Sequence, residues 1–99
     1  MSDYTIVAGR ATIDKDPEAS LLYGINVADI IEPGDTLTGT PTVVATGLTV
    51  GAASFSGTII KARCSAGPQE GSTVGVTFTW STTAGDTDSR TIYLRGVQR

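Results

Sequence analysis

Between Thr73 and Val97 the chain carries its strongest constraint. Val74, Val76, Phe78 and Trp80 alternate with Gly75, Thr77, Thr79 and Ser81, and after a Gly-containing turn Ile92 and Leu94 alternate with Thr91, Tyr93 and Arg95. A period of two puts one set of side chains on a buried face and the other in solvent, so these are two half-buried strands folded back antiparallel. An isolated hairpin is only marginally stable in water. The rest of the chain must therefore cover the face made by Phe78, Trp80, Ile92 and Leu94.

Ninety-nine residues suffice for one domain around one core and are too few for two. Threonine is the most frequent residue and Gly contributes 12, a composition that disfavours helices and suits strands and turns. Cys64 stands alone, so no internal disulfide can form and packing must hold the fold. The net charge of −3 gives no cationic surface for nucleic acid. The opening residues show no basic segment followed by an apolar one, and no run reaches membrane-span length, which predicts a soluble product made in the cytosol with no membrane partner. The charge is uneven: residues 1–35 hold seven acids and two bases, and residues 36–99 hold three acids and five bases.

Along the chain, residues 1–14 alternate weakly, with Tyr4, Ile6 and Ala8 on one side and Gly9 interrupting. They read either as an edge strand or as an arm ordered by a neighbouring protein, with the main domain spanning 15–99. Lys15-Asp16-Pro17-Glu18 sets a turn. Leu21, Tyr23, Ile25 and Val27 form the next strand, and Glu32-Pro33-Gly34-Asp35 suits a type II turn. A polar strand follows from about Thr36 to Val44, in which Pro41 requires a sheet edge or a bulge. Leu48 and Val50 point inward from a short piece, and Phe55 to Cys64 reads as one strand with Ile60, Ala62 and Cys64 inside. The total is an all-β, antiparallel β-sandwich of six or seven strands.

The chemistry is sparse. The chain has no His, which removes the commonest general base and metal ligand and rules out an imidazole-dependent triad. Cys64 lies on the apolar side of its strand and reads as buried and unreactive despite Lys61 and Arg63 nearby. Asp14 with Asp16, and Asp86 with Asp88, do not complete a calcium loop and read as turn residues. No glycine-rich phosphate loop is present. The expectation is a chain with no catalytic residue, no cofactor and no metal, which is not an enzyme. Trp80 shares the core face with Phe78, whereas Tyr93 and Tyr4 suit a protein contact.

Several short patterns occur in a recognisable order. Lys15-Asp16-Pro17-Glu18, Leu22-Tyr23-Gly24-Ile25, Gly34-Asp35-Thr36-Leu37, Gly47-Leu48-Thr49-Val50 and the closing run from Thr82 to Ile92 resemble a family of small tailed-phage and prophage virion accessory proteins, the fibre-tail adaptors, over about residues 14–97. The resemblance implies an immunoglobulin-like sandwich, a place in the virion, and other virion proteins as partners, in tail, fibre or capsid. It also implies action in many copies, as a homo-oligomer or within the particle, where weak contacts gain by avidity. The residues expected to carry the contact are Tyr4 and Ile6 with the acidic segment Asp14, Asp16 and Glu18, and removal of residues 1–13 is expected to leave a folded domain that no longer joins particles. Capsid decoration is one alternative. A cell-surface immunoglobulin-like adhesion or carbohydrate-binding module is another, requiring an exposed aromatic platform.

Overall fold

The computed structural model describes residues 5–7, 12–16 and 18–97. They form nine strands: β1 (Thr5–Val7), β2 (Thr12–Lys15), β3 (Leu21–Asn26), β4 (Leu37–Ala45), β5 (Thr49–Val50), β6 (Ser54–Ser56), β7 (Ile59–Ser65), β8 (Thr73–Thr82) and β9 (Thr87–Gly96). One sheet runs β1-β3-β7-β5, with β6 also on β7, and the other runs β2-β9-β8-β4. Placing β3 and β7 in one layer and β4, β8 and β9 in the other is the strand distribution of an immunoglobulin sandwich. The two shortest N-terminal strands sit on different layers and pair in parallel, β1 with β3 and β2 with β9. The remaining pairs are antiparallel.

The β8–β9 ladder is the longest, running from Thr73 opposite Arg95 to Ser81 opposite Thr87. Its inner face buries Val76, Phe78, Trp80, Ile92 and Leu94, and the facing layer contributes Tyr23, Ile25, Ile60, Ala62 and Cys64. Each large apolar side chain removed from water in this way stabilises the fold by about 1.5–3 kcal/mol. The outer face keeps its threonines. Thr77 and Thr91 share a hydroxyl hydrogen bond at 2.8 Å across the ladder, where apolar residues would instead make an adhesive surface.

Pro41 satisfies both conditions set by its missing N–H. It lies in β4, the last strand of its sheet, where the register shifts between Thr38 and Thr42. Glu32-Pro33-Gly34-Asp35 closes its turn with a 3.0 Å bond from the Asp35 amide to the Glu32 carbonyl, and Gly34 takes the positive φ of 85° that a type II turn demands.

Phe55 to Cys64 departs from the expected single strand. It is a hairpin of β6 and β7 in which Phe55 faces Ile60 and Ser56 faces Ile59. Gly57, at φ 62°, is the first central residue of the two-residue turn, a position that needs glycine. The apolar parity changes between Phe55 and Ile60, and that change marks the reversal. The nine strands exceed the six or seven expected because this hairpin divides one segment and the N-terminal residues supply a strand to each layer.

Candidate protein-contact surface

The acidic segment lies at one end of the sandwich, where β2 leaves β9 with Lys15 opposite Gly96. Its residues have separate roles. Asp14 takes a salt bridge from Arg95 at 2.8 Å, and its Oδ1 also accepts the Arg95 Nε–H at 3.0 Å. Both side chains are about half exposed, so the pair adds little stability, up to about 1 kcal/mol. Its effect is to spend the Asp14 charge within the chain. Asp16 turns its carboxylate onto the turn, accepting the Glu18 amide at 2.9 Å, while its carbonyl receives the Ala19 amide at 3.0 Å. Glu18 is exposed, with no ionic partner among the described residues. The free acidic charge here belongs to Glu18 and the outer part of Asp16.

Lys15 belongs to the core side. It follows Ile13 at period two, is only 1% exposed, and donates from Nζ to the Asp16 carbonyl at 2.9 Å. Burial lowers its pKa, and the Cys64 thiol and Asp16 oppose that shift. Burial pushes the Cys64 thiol up to about 11, with Lys15 pulling the other way. Cys64 is thus a buried thiol at neutral pH, and the cation that faces it is Lys15 rather than Lys61 or Arg63. The Lys15-Asp16-Pro17-Glu18 pattern reads as a turn because of its proline; the parity of Lys15 with Ile13 is the signal for burial, unusual for a lysine.

Of the other expected contact residues, Tyr4 lies outside the described residues. Ile6 is in β1, paired with Tyr23 at the edge of the opposite layer. Asp14, Asp16 and Glu18 are brought together, and the backbone at Ile6 is on the other sheet. Tyr93 is exposed on the outer face of β9, and Trp80 is buried, which removes an aromatic platform built on that residue. Among the described residues no group of His, Cys, Asp or Glu is arranged to hold a metal ion.

The far end carries a second acidic surface. The Ile30-Ile31-Glu32 segment and the β8–β9 tip enclose a cleft of about 250 Å³ over Trp80, rimmed by Glu32, Asp86 and Asp88. Asp35 fastens this end: its Oδ1 accepts the Thr36 amide at 2.8 Å and the Ala84 amide at 3.2 Å. The Thr82 hydroxyl and those two amides hold the Asp35 carboxyl below its ordinary range, against the effect of burial. The described residues thus present two acidic ends joined by polar sheet faces. That arrangement suits binding to other proteins.

No curated protein matches the chain. The family model described as podophage GP4 fiber-tail adaptor protein gp77 matches residues 15–95, from the buried Lys15 to Arg95, the partner of Asp14. That span takes in all of β3 to β8 and nearly all of β9. The chain belongs to the podophage GP4 fiber-tail adaptor protein gp77 family, and is a structural component of a tailed-phage virion.

Proposed function

We propose that this protein joins fibre to tail in the virion, through protein–protein contacts alone. The observation that carries the reading is the family match over residues 15–95 of a β-sandwich. The contact at the β2 end is made by Glu18 and Asp16, flanked by Asp14, and Tyr4 and Ile6 are proposed as contact residues separate from that end. A basic surface on the neighbouring virion protein is the complement, since rim charges of this kind set encounter rate and orientation. Many copies act together in one particle, so each contact can be weak and the junction still firm.

The test is charge reversal in the assembled phage. Asp16→Asn, which keeps the acceptor for the Glu18 amide, combined with Glu18→Lys is expected to leave the purified protein folded, with a melting profile close to wild type, and to give particles lacking fibres. Fully fibred particles from that variant would remove the acidic segment from the contact.

A further inference from the structure

Among the described residues, the outer edge of β9 is open over its first half. β2 pairs with β9 only from Tyr93 to Gly96, and no described residue pairs with the outer side of Thr87 to Thr91, all five of which are exposed. The direction of the backbone groups follows from the bonds at the strand ends. The Gly96 amide donates to Ser72 on the β8 side, and the Asp86 carbonyl accepts the Thr82 amide, so even-numbered residues bond inward. The Val97 amide donates to Lys15 on the other side, so odd-numbered residues bond outward. Thr87, Ser89 and Thr91 therefore aim their N–H and C=O groups out of the sheet. The Ser89 amide has only the Asp88 Oδ1 beside it, at 2.8 Å.

We propose that two copies of this chain pair along this edge, antiparallel about a two-fold axis through Ser89. In that register Ser89 exchanges both backbone bonds with its counterpart, and Thr87 and Thr91 exchange bonds with each other's copies. All outward groups are matched. Asp88 and Arg90 lie on the opposite face of the strand, with Trp80 and Phe78 as their ladder neighbours. The two-fold axis sets Asp88 of each copy directly across from Arg90 of the other. Arg90 has no ionic partner within its own chain among the described residues and is free for this role. Shifting the axis to residue 88 or 90 would oppose Asp88 with Asp88, or Arg90 with Arg90, so the charges select one register. A single uncompensated charge protects a sheet edge from pairing, but an acid and a base two residues apart are self-complementary under this symmetry. The Asp88 carboxylate leaves the Ser89 amide on pairing, and the backbone bond replaces it.

Sedimentation equilibrium of the whole chain up to millimolar concentration tests the contact. Wild type is expected to dimerise, Asp88→Arg and Arg90→Asp each to weaken the dimer roughly tenfold or more, and the double reversal to restore it. Circular dichroism confirms that each variant is folded. Ser89→Cys is expected to form an interchain disulfide on mild oxidation and Thr91→Cys alone to form none, since Ser89 faces its own copy and Thr91 does not. A wild type monomeric throughout, single reversals that dimerise as wild type does, or equal cross-linking at both positions would each overturn the pairing.

Discussion

Asp35 and Ala84, 49 residues apart in sequence, are joined by a 3.2 Å hydrogen bond from the Ala84 amide to the Asp35 carboxylate. The same carboxylate caps Thr36, the Thr83 amide donates to the Thr36 carbonyl at 2.9 Å, and the two threonine hydroxyls lie 2.7 Å apart. The turn before β4 and the tip of the β8–β9 hairpin are thus one unit. It forms because a charged acceptor answers amides that neither turn can satisfy alone.

Asp35→Asn is expected to lower the melting temperature at neutral pH. The folded carboxyl has a lowered pKa, so its contribution is present above the ordinary carboxylate range and is lost as pH falls through the folded value. The difference between wild type and variant should therefore shrink in acid. A difference that persists unchanged below that range would show that the charge is not what matters.

Gly96→Ala is expected to destabilise the protein by about 1–3 kcal/mol. A β-carbon at this position would overlap the carbonyl oxygens of Gln69 and Pro68, which are backbone atoms with little room to move. Chemical denaturation measures the loss. A midpoint equal to wild type would mean that the 68–71 loop does not lie against β9.

The strands that composed the core were legible from parity: Val76, Phe78, Trp80, Ile92 and Leu94 alternate without interruption, and all are buried. The Pro33-Gly34 turn and the edge position of Pro41 followed from missing N–H groups and positive φ, which are properties of single residues. Three features were less accessible, the last two because they depend on distant partners. The β6–β7 hairpin is marked only by the short Ser56-Gly57-Thr58 stretch and the parity change across it, which one continuous strand reading passes over. Lys15 is buried because β2 joins β9, a parallel pairing that no local pattern announces. Asp14 looks like a free acid until Arg95, 81 residues later, is placed beside it.

Cys64 should resist alkylation by iodoacetamide at pH 8 in the folded protein and react on unfolding, because it is fully buried and its pKa is raised to about 11. Its stability contribution is complete below pH 9 and is lost as pH rises toward 11. Lys15 acts with the opposite sign: its folded pKa is lowered, so the folded state gains as pH rises from that value toward 10.5. Cys64→Ala and Lys15→Met should therefore have alkaline stability profiles that diverge in opposite directions from wild type. Parallel profiles would contradict the burial of the pair.

Truncation separates the two N-terminal strands. Removing residues 1–11 keeps β2, with Ile13 against the core and Lys15 beneath the turn, and should leave a cooperative unfolding transition. Removing residues 1–15 takes β2 from β9 and should lower the midpoint sharply. Equal midpoints for the two truncations would mean that β2 contributes nothing to the sandwich.

The proposed place of this domain is between fibre and tail, where it acts by contact alone. Electron microscopy of intact phage carrying an affinity label on this protein tests it most directly. The label is expected at the junction where fibres leave the tail. A label distributed over the head, or particles in which the protein is absent, would contradict the account.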